Sequence, residues 1–199
     1  MKRYILVILS FVFILAGCSN IETKADADEV SDILKKHLDV SPYIPKTDYE
    51  IGSVILEYYP SDGNDEDREP FYATVNFYDS TAKKKITDEK DKKIWNDNTP
   101  DKKLIYGDIY EDKSKISIEI YPDSHVNNIN IMDSEEKNIA GHEVQYQTIK
   151  HNMDGESSET ILMSINFNDI SYIIEYNDQS NNIEDGIKEV AENIIKNNI

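Results

Sequence analysis

The sequence predicts an α+β domain: a curved antiparallel sheet of roughly seven to eight strands with an amino-terminal and a carboxy-terminal helix packed on it. Three observations predict it. Apolar residues recur at helical spacing near each end of residues 26–199. Between those ends, several segments alternate apolar and polar residues with a period of two. Short Asn-, Asp- and Gly-bearing stretches separate these segments, as hairpin connections require.

From Ala25 to Leu38, Val30, Ile33, Leu34 and Leu38 share one helical face, with Asp28, Asp32, Lys35 and Lys36 elsewhere, and Ser41-Pro42 ends the helix. Ser41 to Pro45 is too proline-rich for a central strand and reads as an extended linker onto the sheet. Ile51–Tyr59 is a strand rich in β-branched and aromatic residues, and Pro60–Pro70 is a polar hairpin loop. In the next strand Phe71, Ala73, Val75 and Phe77 alternate with Tyr72, Thr74, Asn76 and Tyr78. Thr81–Lys103 is a Lys- and Asp-rich excursion with room for one short helix. Strands follow at Leu104–Tyr110 and Lys115–Tyr121 around a turn at Glu111–Ser114, and a short one at Ile129–Met132. Glu143–Lys150 is a strand, and His151–Ser158 a turn. Thr160–Phe167 then points Ile161, Met163, Ile165 and Phe167 inward. Asn168-Asp169 tolerates positive φ and predicts a tight hairpin into Ile170–Tyr176, where Tyr172, Ile174 and Tyr176 share a face. Ile183, Ile187, Val190 and Ile194 mark a helix from about Asn182, with Glu184 and Asp185 suiting its positive end. The chain shows neither an internal repeat nor a second domain.

The amino terminus has a different character. Lys2 and Arg3 precede an apolar run from Ile5 to Ile14, the layout of a secretion signal. The run is shorter than the roughly 20 residues a stable membrane-spanning helix needs. Leu15-Ala16-Gly17-Cys18 resembles the lipobox of bacterial lipoproteins at every position. The resemblance implies that the Cys18 thiol receives diacylglycerol and that cleavage falls between Gly17 and Cys18. Residues 1–17 are then a signal peptide, residues 18–25 a lipidated tether, and residues 26–199 one domain on the outer face of the cell membrane. One acyl chain gives marginal attachment, and two hold firmly. The competing readings are an ordinary secretion signal and an uncleaved anchor helix. Cys18 is the only cysteine, so the domain has no intrachain disulfide and no cysteine metal site.

Loss of Lys2 and Arg3 takes the formal charge from −18 to −20 (−18 minus two cations). Nucleic acid is excluded as a partner, because its phosphates demand clustered Lys and Arg. Anionic headgroups would likewise repel the domain. Divalent ions, basic peptides and basic protein faces stay compatible, and so does simple solubility in an exported protein. The abundance of Asn, Ile, Lys, Asp and Glu fits the codon bias of low-GC Gram-positive bacteria.

No catalytic motif is legible: there is no nucleophile elbow, phosphate loop or His-Glu-x-x-His helix. No cofactor is expected. His37, His125, His142 and His151 are scattered, and only His142 and His151 could meet, if their strand bends. In the acidic loop Asp62–Glu69, Asp62, Asn64 and Glu66 alternate as calcium ligands do. An EF-hand, however, needs glycine where Asp67 stands and glutamate where Ala73 stands. The loop reads as a solvated hairpin tip, with no metal site assigned. Ten tyrosines fall in expected strands: Tyr58, Tyr59, Tyr72, Tyr78, Tyr106, Tyr110, Tyr121, Tyr146, Tyr172 and Tyr176. Each offers an apolar face and a polar tip to a sugar, peptide or lipid, although tyrosine also simply suits half-buried strands.

The lipobox, Pro42-Tyr43-Ile44-Pro45, and a closing pattern together resemble small uncharacterised lipoproteins of spore-forming Gram-positive bacteria. That pattern runs from Asn138-Ile139-Ala140-Gly141-His142-Glu143-Val144 through a hairpin to a helix with Val190-Ala191-Glu192-Asn193-Ile194. It is similar to a carboxy-terminal domain of unknown function in such lipoproteins and in some anti-sigma-factor proteins. The resemblance implies a sheet-and-helix fold like that of lipoprotein carriers, with a concave apolar face, and assigns no functional residue. The expected function is a non-enzymatic binding or sensing domain that contacts a protein, peptide or envelope component. The alternative is a carrier of a lipid or other apolar ligand, with Tyr172, Ile174 and Tyr176 facing it.

Overall fold

The computed structural model describes residues 26–60, 68–80, 84–122, 131–153, 156–177 and 182–198. The signal-like segment, Gly17 and Cys18, the tether before Asp26, residues 62–67 of the acidic loop and His125 lie outside them. The described elements run α1 (Ala27–Leu38), β1 (Glu50–Tyr58), β2 (Pro70–Tyr78), α2 (Glu89–Asn98), β3 (Lys102–Gly107) and β4 (Ile116–Pro122). They continue with β5 (Glu135–Ile139), β6 (His142–Met153), β7 (Glu156–Asn166), β8 (Ile170–Tyr176) and α3 (Ile183–Asn198). The strands form one open antiparallel sheet in the order β3-β1-β2-β4-β8-β7-β6-β5. The α+β class and the helices at both ends of the domain match the sequence reading.

Register makes one face of this sheet the core. Val75 lies opposite Val54 and Ile118, Ile118 opposite Ile174, Ile174 opposite Met163, and Met163 opposite Tyr146. With period two, the same alternation puts Ala73, Phe77, Ile116, Ile120, Ile161, Ile165 and Tyr172 on that face. α1 seals it with Val30, Leu34 and Leu38, and α3 with Ile187, Val190, Ala191, Ile194 and Ile195, all buried. Each buried Leu, Ile or Val contributes about 1.5–3 kcal/mol of transfer free energy, so this layer dominates the stability.

The proline linker is built into the core rather than merely leading to it. Pro42, Ile44 and Pro45 are buried. The Ser31 hydroxyl donates to the Pro42 carbonyl at 2.6 Å, and the Tyr43 N–H donates to the Tyr172 hydroxyl at 3.0 Å. Tyr172, fully buried in β8, donates in turn to Asn198 Oδ1 at 3.2 Å. One hydroxyl thus joins linker, sheet centre and the end of α3.

Three local expectations differ from the structure. β3 and β4 are not a hairpin: β3 pairs with β1 at an edge, and the chain then crosses two strands to place β4 beside β2. Gly107, at φ 77°, starts that crossing by lying against the Gly52 carbonyl, a position that leaves no room for a Cβ. The strand expected at Ile129–Met132 is absent over its described part, where Ile131 is irregular and Met132 sits in a turn, 80 % exposed. The strand is instead β5, whose Glu135, Glu136, Lys137 and Asn138 show no apolar alternation because it is a sheet edge, where charge deters further pairing. The two residues at positive φ that make a tight turn are Ala140 (51°) and Gly141 (85°), between β5 and β6. Asn168-Asp169 does close β7 onto β8, through Phe167 N–H to the Ile170 carbonyl at 2.9 Å, without positive φ.

Candidate functional site

The three residues expected to face a ligand lie on the core side. Tyr172 and Ile174 are fully buried beneath the helices, and Tyr176 is 6 % exposed. Tyr176 alone reaches a cleft, about 550 Å³, between residues 46–49, the end of the sheet and the start of α3. Lys46, Asp48, Asp185 and Glu189 give that cleft a charged lining over Ile116 and Val190. Among the described residues the expected meeting of His142 and His151 does not occur. His142 and His151 lie on opposite faces of β6, roughly 30 Å apart along the strand. The His142 ring packs on Phe167 at 4.9 Å and its Nε2 is 3.0 Å from the Asn166 carbonyl. Among the described residues no group of His, Cys, Asp or Glu is arranged to hold a metal ion.

The face of the sheet turned away from α1 and α3 is where chemically distinctive side chains converge. Alternation brings rows of residues across it. Leu104, Ile55, Thr74, Glu119, Ile173 and Ser164 are successive neighbours on six strands, and beside them run Ser53, Asn76, Ser117, Glu175 and Leu162. In the row toward the sheet's other end, Lys102 lies opposite Glu57 and Glu57 opposite Tyr72. Two bulges shape the face, at Gly52 and near Phe71, where the β1–β2 register shifts.

Polar groups on this face are largely consumed by one another. Ser117 donates to Asn76 Oδ1 at 3.0 Å and Asn76 donates to Ser53 Oγ at 3.2 Å. The Lys102 ammonium pairs with Glu57 at 2.7 Å, and Lys113 with Glu175 at 2.9 Å. Asn177 also donates to Glu175, at 3.0 Å, and accepts from Thr160 at 2.8 Å. Glu119 is different. It is half-buried, its hydrogen-bond donor is the Tyr121 hydroxyl at 2.6 Å, and no described cation pairs with it.

Aromatic rings frame these carboxylates. Tyr72 stacks on Tyr121 at 4.7 Å, Phe71 meets both edge-on at 5.5 Å, and Tyr59 lies 4.1 Å beyond Phe71. Tyr59 is 57 % exposed and Tyr121 only 8 %. At the other end of the face Tyr78 packs on Tyr110 at 4.4 Å. Tyrosine is therefore split between faces: Tyr58, Tyr106, Tyr146, Tyr172 and Tyr176 belong to the core cluster, and Tyr72, Tyr78 and Tyr121 to the opposite face.

The electrostatics follow from this packing. Burial pushes the Glu119 carboxyl above its ordinary value, and nearby Glu57 and Glu175 add to this; the Tyr121 hydroxyl and, more weakly, the charge of Lys102 oppose it. Burial also raises Tyr72 and Tyr121, each held further up by its carboxylate partner, Glu57 and Glu119 respectively. At Glu175 burial pushes upward, but hydrogen bonds from Lys113 and Asn177 and the Lys113 charge bring it below the usual range. The face therefore carries two carboxylates directly paired with lysines and one, Glu119, that is desolvated, feels Lys102 only at a distance, and has no cation within ion-pair reach among the described residues.

Glu57, Glu119 and Lys102 were not singled out in the sequence. The signal that could have found them is the i, i+2 pair Glu119 and Tyr121, which alternation must place on one face opposite Ile118 and Ile120. No family model, curated protein or solved structure matches the chain.

Proposed function

We propose that this chain is a lipoprotein held at the outer face of the cell membrane by diacylglycerol on Cys18, and that its folded part is a non-enzymatic binding or sensing module. The contact surface is the sheet face turned away from α1 and α3. The observation that carries this reading is the asymmetry of the sheet: one face is filled by two helices, and the other sets Glu119, Tyr72 and Tyr121 side by side without a paired cation. Among the described residues no helix is long and apolar enough to cross a membrane. A carrier of apolar ligands is less well supported, because Tyr172 and Ile174 are packed and the cleft at Tyr176 is rimmed by charge.

The test is recovery of binding components from membranes with the full lipidated chain, identifying co-purified proteins and lipids, in parallel with Tyr72→Ala and Lys36→Ala. A component lost with Tyr72→Ala and kept with Lys36→Ala supports the reading. Recovery unaffected by Tyr72→Ala, or a stoichiometric apolar lipid in its place, counts against it.

A further inference from the structure

Resting on that reading of the surface, we propose that the open face receives a basic segment of a partner protein, whose lysine or arginine is bound by Glu119 between Ile55 and Ile173, beside the Tyr72–Tyr121 stack.

Charge complementarity at a defined position carries the argument. Three carboxylates, Glu57, Glu119 and Glu175, sit on three strands of this face. Lysines Lys102 and Lys113 pair directly with the outer two, while the central one is hydrogen-bonded only by a tyrosine hydroxyl and feels Lys102 at longer range. A half-buried carboxylate in this setting gains from an incoming N–H donor that carries positive charge, since such bonds are roughly twice as strong as neutral ones. The neighbours of Glu119 suit the rest of a long cationic side chain. Ile173 lies opposite it on β8 and Thr74 opposite it on β2, with Ile55 and Leu104 next in the row. Lys and Arg stems lie along such aliphatic surface while the charged head seeks a carboxylate.

The same geometry disfavours other occupants. A sugar at Glu119 needs an uncovered ring face beside it, but the adjacent Tyr121 is 8 % exposed between Tyr72 and Phe71, and the exposed ring, Tyr59, lies beyond Phe71. A divalent ion needs several oxygen ligands in convergence, and the described residues offer no such group. Nucleic acid and anionic lipid meet a chain of net charge −18. A cationic side chain is the class that remains.

The full lipidated chain in phosphatidylcholine nanodiscs, titrated calorimetrically with a hexapeptide of alternating arginine and alanine, tests this. Its glutamate counterpart and a chitin oligosaccharide serve as comparison probes. Binding of the arginine peptide alone is expected, weakened about tenfold by Glu119→Gln. Glu29→Gln, which removes the same charge from an exposed position on α1, should leave it unchanged. Melting curves of both variants confirm that each is folded. Equal weakening by the two variants would mean that bulk acidity attracts the peptide, and would overturn the proposal, as would Glu119-dependent binding of the oligosaccharide instead. If the peptide fails to bind while membrane recovery still depends on Tyr72, the basic-peptide inference falls and the surface reading stands.

Discussion

Replacing Tyr172 by Phe isolates the hydroxyl that ties three parts of the fold together. The ring is fully buried and phenylalanine refills its volume, so no cavity forms and the change is confined to hydrogen bonding. Two bonds are lost: the one accepted from the Tyr43 N–H at 3.0 Å and the one donated to Asn198 Oδ1 at 3.2 Å. Asn198 can turn toward water at the end of α3, so its bond contributes at the low end, about 0.5 kcal/mol. The Tyr43 N–H is part-buried beside Pro42 and Ile44, and leaving it without an acceptor costs about 1–2 kcal/mol. The sum is about 2 kcal/mol, which for a domain of this size is a fall in Tm of about 4–8 °C. Urea unfolding followed by circular dichroism should show a lower midpoint at unchanged slope, since no additional surface is exposed. Recovery of binding components from membranes should be unaffected once the variant is folded. An unfolding free energy within about 0.3 kcal/mol of wild type would refute the tie among linker, sheet and α3. Lost binding at unchanged stability would mean instead that Tyr172 faces a ligand.

Three further outcomes are expected. The raised Glu119 carboxyl means that folding favours its protonated form, so its penalty is absent below the unfolded-state value and grows as pH rises toward the folded one. Glu119→Gln should therefore melt higher than wild type at pH 7.5, the gap closing as pH falls through the carboxylate range; a gap that widens on acidification contradicts the assignment. Gly186→Ala would ordinarily stabilise a helix by about 1 kcal/mol, but the Tyr176 hydroxyl occupies the space of the new Cβ. Net destabilisation of about 1–2 kcal/mol is expected in urea unfolding, relieved in part by Tyr176→Leu, which removes both the hydroxyl and the ring Cζ from that space, and additive effects of the two changes would refute the contact. Cys18→Ala should leave a precursor that keeps residues 1–17 and incorporates no radiolabelled acyl chain, whereas normal maturation of the variant would remove the anchor from this account.

What was legible in the sequence was whatever rests on local periodicity. The α1 and α3 faces, with Val30, Leu34, Ile187 and Ile194, read correctly because helical spacing and burial coincide. β2, β4 and β8 read correctly because Val75, Ile118 and Ile174 alternate with polar residues. Partner choice was not legible: a turn signal at Glu111–Ser114 says that the chain reverses, not that β3 has already paired with β1. β5 was invisible because an edge strand of Glu, Lys and Asn carries the pattern of a loop. The candidate site was hidden for a related reason. Glu57, Tyr72 and Glu119 are remote in sequence, and only the sheet order β1-β2-β4 makes them neighbours. Tyrosine counts alone suggested a binding face but could not say which rings would be buried, and Tyr172, Ile174 and Tyr176 drew attention because their alternation was the cleanest.

The measurement that most directly tests whether this protein works through the open face is site-specific photo-crosslinking in intact cells. A photoreactive side chain at half-buried Ile173, opposite Glu119, reports on that face, and one at exposed Lys36 reports on the helix side. The account predicts a discrete adduct from position 173 that disappears with Glu119→Gln, and none from position 36. An adduct from position 36 alone, or one from 173 indifferent to Glu119, would contradict it.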